Sequence, residues 1–141
     1  MLRKKRIKLI LDTNVWISFL IIDKLSLLDN FIINKQIILI FSEELIAEFI
    51  VVTQKEKIQK YINNKNVIEL VHYINKHSKI VKVKSRLKLC RDSKDDFLLN
   101  LAIDSEADFL CTGDNDLLEL IQIEKTQIIT ISKLLEHLKS Y

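Results

Sequence analysis

Ile7-Lys-Leu-Ile-Leu-Asp-Thr-Asn14 is a short apolar run that stops abruptly at one acid and two polar residues. An apolar run of this length, bounded by a polar break, reads as a strand covered on both faces, as strands of a parallel sheet are. Downstream, residues 15–22 and 26–33 read as helices, and Gln-Ile-Ile-Leu-Ile-Phe over 36–41 reads as a second buried strand. Ser42-Glu-Glu then opens a helix that runs to Thr53. Serine is a good N-cap, and two acids in the first turn suit the positive end of the helix dipole.

Residues 55–75 continue as helix with a weak break at Asn63-Asn64. A short, partly polar strand is expected over 79–83, and a loop over 87–93. Next comes a helix over 94–105, capped by Asp92 or Ser93, then strands over 108–112 and 128–131 and a closing helix over 133–139. Strands alternating with helices imply right-handed crossovers. The expected fold is α/β: a central parallel β-sheet of about five strands with helices on both faces. No linker or repeat interrupts the chain, so residues 1–141 read as one domain.

The composition narrows the chemistry. A chain with 48% hydrophobic and 29% charged residues has the usage of a globular protein, and 141 residues bury a core without disulfides. One glycine and no proline exclude a turn-rich sandwich, a P-loop and a Gly-x-Gly-x-x-Gly nucleotide site. No apolar run reaches the ~18 residues of a membrane span. Cys90 and Cys111 are far apart and read as free thiols of the reducing cytoplasm. His72, His77 and His137 lack metal-ligand spacing, and Trp16 and Phe19 read as core or interface. The formal charge of +3 is unevenly placed: residues 3–8 and 76–91 are basic, whereas 92–116 are acidic. Basic flanks around an acidic patch suit a polyanion held near bound cations.

In parallel α/β sheets, sites form beyond the carboxyl ends of the strands. Asp12-Thr-Asn14 follows the first strand, and Gly113-Asp-Asn-Asp116 follows the fourth. Glu48 lies about 60° from Leu45 and about 40° from Val52 on the helical wheel, so apolar side chains border it. Asp95 crowns a stripe formed by Leu99 and Ala102, whereas Asp96 points about 100° away, towards Asn100. Acids at core-facing edges are costly unless compensated, and a divalent cation compensates several at once. Each acid also has a plainer reading: Asp12 as a helix cap, Asp95 and Asp96 as first-turn acids, Asp114 and Asp116 as turn residues. The single glycine, Gly113, falls where the backbone is expected to turn sharply and present two carboxylates.

Four segments resemble, in order, the motifs of PIN domains: Asp12-Thr-Asn-Val15 after its strand, Ser42-x-x-Leu-x-x-Glu-Phe49, Arg91-Asp-Ser-Lys-Asp-Asp-Phe-Leu-Leu99, and Ala107-Asp-Phe-Leu-Cys-Thr-Gly-Asp-Asn-Asp-Leu117. The nearest subgroup is that of bacterial toxin components of toxin–antitoxin systems, related to VapC. The resemblance implies a metal-dependent endoribonuclease using Mg²⁺ or Mn²⁺. Asp12, Glu48, Asp95 and Asp114 match its acidic positions, with Asp116 an additional acid. Asp12 and Asp95 would then hold the principal ion, and Asp114 and Asp116 would hold a second ion or its waters. Glu48 would position the attacking water or share a metal. Thr13, Asn14, Ser42 and Thr112 match polar positions near the site. Ser93 stands where the subgroup often has proline. Asp96 stands where it often has asparagine, which leaves Asp95 and Asp96 open by one position, with helix geometry favouring Asp95. Lys88, Arg91 and the basic N-terminus are candidate RNA-backbone contacts. The resemblance also implies an RNA substrate, a cognate antitoxin protein and a homodimer.

Two other classes stand beside this reading. A PIN-like module could bind RNA or protein without cleaving it, in which case no tight divalent site should depend on Asp12. A receiver-like signalling domain needs a phosphoacceptor Asp at the end of the third strand, where this chain has Val81-Lys-Val83.

Overall fold

The computed structural model describes residues 6–22 and 26–140. In chain order the elements are β1 (Ile7–Leu11), α1 (Thr13–Ile22), α2 (Ser26–Ile33), β2 (Ile37–Phe41), α3 (Glu43–Thr53), α4 (Glu56–Gln59), α5 (Asn64–His77) and β3 (Ser78–Ile80). The second half comprises α6 (Ser93–Ser105), β4 (Phe109–Cys111), α7 (Asn115–Leu118), β5 (Gln122–Ile123), β6 (Thr126–Ile129) and α8 (Ile131–Lys139). They build a six-stranded sheet in the order β3-β2-β1-β4-β6-β5. Every pairing is parallel except the short β5–β6 edge. The sheet therefore has one strand more than the sequence suggests. Gln122–Ile123 is too short and too polar to register as a strand, and its return turn uses Glu124 at φ 50 rather than glycine or asparagine.

Successive strand side chains point to opposite faces. Leu9, Ile10 and Leu11 are all buried, as are Leu39, Ile40 and Phe41, so β1 and β2 are covered on both sides. The chain walks outward from β1 to β2 and β3, then crosses back to place β4 on the other side of β1. That reversal creates a crevice at the carboxyl ends of β1 and β4, where α/β sheets bind ligands.

Element ends depart from the sequence reading for local reasons. β3 stops at Ile80 because its partner β2 ends at Phe41, where Ser42 turns the chain into α3. One more bond, from the Val81 N–H to the Phe41 carbonyl at 2.8 Å, closes that edge. The expected break at Asn63-Asn64 is real: the Asn63 side chain caps α5 by accepting from the Asn66 N–H at 2.8 Å. A second break separates α3 from α4. The Thr130 side chain caps α8, which therefore begins at Ile131 and ends β6 at Ile129. Residues 115–118, read as a turn, form the short helix α7 with Asp114 as its cap.

Gly113 lies in the expected turn between β4 and α7, but the turn does not use glycine's conformational freedom. Its φ is not positive, and a Cβ added there would meet nothing within 4 Å. The left-handed positions fall instead on Lys35, Glu106, Ile121 and Glu124. No helix among the described residues is long and apolar enough to cross a membrane.

Candidate metal centre

Strand register builds the site. Leu11 of β1 pairs with Cys111 of β4, so the residues that follow, Asp12 and Thr112, emerge side by side. The Asp12 N–H donates to the Cys111 carbonyl at 3.0 Å, closing the ladder. The Thr112 hydroxyl donates to Asp12 Oδ2 at 2.8 Å and accepts from the Asp114 N–H at 3.0 Å. One buried hydroxyl thus fixes the first acid and the backbone turn that carries the fourth. Asp114 accepts in turn from the Asp116 N–H at 2.9 Å, which starts α7.

The third acid arrives on α6. Asp92 caps that helix, accepting from the Lys94 N–H at 3.0 Å, and Asp95 sits buried in its first turn. Asp95, Asp114 and Asp116 each offer a carboxylate oxygen, and these oxygens all lie within 4.8 Å of one another. The fourth contribution comes from α3, whose half-buried Glu48 lines the same pocket. This cavity of about 280 Å³ is bounded by Asp12, Asn14, Glu48, Asp92, Asp95 and Asp114 on its acidic side. Lys55, Lys57 and Lys94 complete its wall.

The electrostatics are those of crowded, partly desolvated acids. Burial, together with the charges of Asp114, Asp92 and Asp12 and a hydrogen bond to Asp114, pushes the Asp95 carboxyl up to about 6. Burial also raises Asp12 above the ordinary carboxylate range, against the opposing pull of the Thr112 hydroxyl and the Asn14 N–H. Glu48 is raised by burial and by Asp12, with Lys94 and Lys55 pulling the other way. Among the described residues, no ion pair within 4 Å neutralises these acids. A hard, all-oxygen donor set with uncompensated charge fits a hard divalent cation.

The structure separates Asp95 from Asp96. The Asp96 Oδ1 accepts from the N–H groups of both Leu89 and Cys90, each at 2.9 Å. It anchors the preceding loop and does not line the acidic pocket. One turn on, the Asn100 amide accepts from the Leu87 N–H at 3.0 Å and donates to the Leu87 carbonyl at 3.1 Å. A further turn on, Asp104 accepts from the Lys84 and Ser85 N–H groups and from the Ser85 hydroxyl, which holds its carboxyl below the usual range despite burial. This i, i+4, i+8 ladder straps residues 84–90 to α6.

The other sequence-assigned residues divide in the same way. Asn14 is exposed in the pocket wall, and Thr13 is buried, its hydroxyl without a partner among the described residues. Ser42 caps α3, accepting from the Leu45 N–H at 3.1 Å, and lies outside the acidic pocket. Lys88 and Arg91 are exposed. Lys88 lines a neighbouring groove, while Arg91 lines neither. Of the basic N-terminal run, Arg3 to Lys5 lie outside the described residues. Sequence reasoning missed Lys55, Lys57 and Lys94 as wall residues, because three lysines on two segments look like ordinary surface until the sheet gathers them. The cysteines stay free. Burial and then Asp12 push the Cys111 thiol up to about 12, and burial raises Cys90, so neither is a ready nucleophile.

Residues 8–116 match the family described as PIN domain, and the chain belongs to that family. Membership points to nuclease-type chemistry. The fold is similar to that in the crystal structure of PAE2754 from Pyrobaculum aerophilum, with a TM-score of 0.61 at 15% identity, over 96% of this chain and 91% of that one. No curated protein matches the sequence.

Proposed function

We propose that the chain is a metal-dependent endoribonuclease, and that its whole length, 1–141, works as one nuclease domain. The observation that carries this reading is the convergence of Asp95, Asp114 and Asp116, with Asp12 and Glu48 beside them, at the switch point of the sheet. Asp95, Asp114 and Asp116, helped by Asp12, would hold one or two Mg²⁺ or Mn²⁺ ions, which when bound supply hydroxide near neutral pH and offset charge on the scissile phosphate.

The chain's own groups do the rest. Glu48, raised above its ordinary range, accepts a proton from the attacking water. Thr112 aims Asp12 and favours its ionised form by donating to Oδ2. Asn14 can donate to a phosphate oxygen from the pocket wall. Lys55, Lys57 and Lys94 attract the RNA backbone towards a site that is otherwise anionic. Arg91, exposed just before the Asp92 cap of α6, is a further candidate contact to that backbone.

By the same reading the protein is the toxin of a toxin–antitoxin pair, acts in the cytoplasm where its two free thiols persist, binds a cognate antitoxin and self-associates as a homodimer. The test is incubation of the purified chain with end-labelled RNA, with Mn²⁺ or with chelator. Internal cleavage should require the ion, and RNA left intact under both conditions contradicts the proposal. For the toxin role, induced expression should generate new RNA ends and arrest growth, and co-expression of an adjacent small open reading frame should relieve both.

A further inference from the structure

A second groove lies beside the acidic pocket, against the starts of α3 and α6. Its cavity of about 320 Å³ lies between the strapped segment 84–90 and the starts of α3 and α6, with Phe97, Arg86 and Lys88 in its lining. A small crevice lies between it and the acidic site. That crevice shares Ser42, Glu44 and Phe97 with the groove, and Glu48 and Leu98 with the acidic pocket. Glu48 and Leu98 on the acidic side and Phe97 on the groove side thus line one crevice of about 10 Å³.

Three features suit this groove to a nucleotide. Phe97 keeps 53% of its surface exposed, although the next three residues along α6 are buried. Arg86 and Lys88 project from a backbone held at Leu87, Leu89 and Cys90 by Asn100 and Asp96, so two cations are offered from a fixed platform. Of the two carboxylates in the lining, that of Asp96 is engaged by two backbone N–H groups, and that of Glu44 stands exposed beside Ser42. An aromatic face flanked by cations binds single-stranded nucleic acid by stacking a base and holding its phosphate.

We propose that this groove is a nucleotide subsite for single-stranded RNA, in which Phe97 stacks the base next to the scissile phosphate while Arg86 and Lys88 hold the adjoining backbone. The subsite rests on the ribonuclease reading, but its test can fail separately. The probe is a fluorescent single-stranded oligoribonucleotide carrying 5-iodouridine, with Ca²⁺ present to neutralise the acids. Photocrosslinking should place the base on Phe97, and anisotropy should show Phe97→Leu, which keeps apolar bulk, binding about 10-fold more weakly. Arg86→Gln combined with Lys88→Gln should lower the slope of log affinity against log salt by about 1.4, as expected for two lost phosphate contacts. Equal affinity for Phe97→Leu, or crosslinks confined to other residues, overturns the subsite. In a cleavage assay, Phe97→Leu should raise KM and leave kcat unchanged. A wild type that crosslinks at Phe97 but never cuts RNA contradicts the ribonuclease reading and leaves the subsite standing. A wild type that cuts RNA with KM unaffected by Phe97→Leu contradicts the subsite alone.

Discussion

Removing the charge of Asp95 should make the metal-free protein more stable at alkaline pH. The Asp95 carboxyl titrates near 6 in the folded chain, against 3.8 for a free aspartate, chiefly because it is buried and then because Asp114, Asp92 and Asp12 surround it. The raised value means that the folded state holds its proton more tightly than the unfolded state. Below pH ~3 both states are protonated, and Asp95 contributes nothing to the pH dependence. As pH rises towards 6 the unfolded chain has already released its proton, and stability falls. Above that range the loss levels off at about 3 kcal/mol. Asp95→Asn removes this penalty. In chelator at pH ~8 its melting temperature should exceed that of the wild type by about 10 °C, the shift expected for a domain of this size. At pH ~3 the two should melt together. Mn²⁺ at about a thousand times its Kd should reverse the order, because an ion bound only by the folded wild type then adds about 4.1 kcal/mol. Differential scanning calorimetry over this pH range, with and without Mn²⁺, measures all of this. A variant less stable than the wild type in chelator at pH ~8, or a difference that does not change with pH, refutes the electrostatic reasoning.

Three further outcomes follow from particular contacts. Thr112→Val removes the donor to Asp12 Oδ2 and the acceptor of the Asp114 N–H. It should cost about 1–3 kcal/mol in urea unfolding and raise the Asp12 titration further, with Thr112→Ser recovering both; a fully stable valine variant counts against this bridge. Asp96→Ala strands the Leu89 and Cys90 N–H groups. Hydrogen exchange should accelerate across 84–90 while Mn²⁺ affinity falls far less than in Asp95→Asn, and equal loss of affinity in the two variants would return Asp96 to the metal site. Gly113→Ala should shift stability by no more than about 0.5 kcal/mol, since its φ is ordinary and the added methyl meets open space. A large loss there would show that the turn needs glycine after all.

The parts of this architecture that can be read in the sequence are those written in local pattern. A strand buried on both faces is a continuous apolar run, so 7–11 and 36–41 identify themselves, and Asp12 is conspicuous because it ends the first of them. Glu48 and Asp95 stand out because helical periodicity sets each against apolar neighbours. What escapes the sequence depends on distant register. Nothing local distinguishes Asp96, Asn100 and Asp104 from a solvated helix face, yet in the fold they hold the amides of 84–90. The β5–β6 edge lacks the glycine or asparagine that marks most hairpins. Gly113 misleads for the opposite reason: a rare residue at a strand end invites a conformational explanation, whereas the left-handed turns are taken by Lys35, Glu106, Ile121 and Glu124.

The central claim is that these convergent acids make the chain cut RNA. Its most direct test is the rate of internal cleavage of one RNA in Mn²⁺ by wild type, Asp12→Asn and Asp95→Asn, each shown to be folded by circular dichroism. Both variants should fall by about 100-fold or more. Equal rates in all three proteins would contradict it.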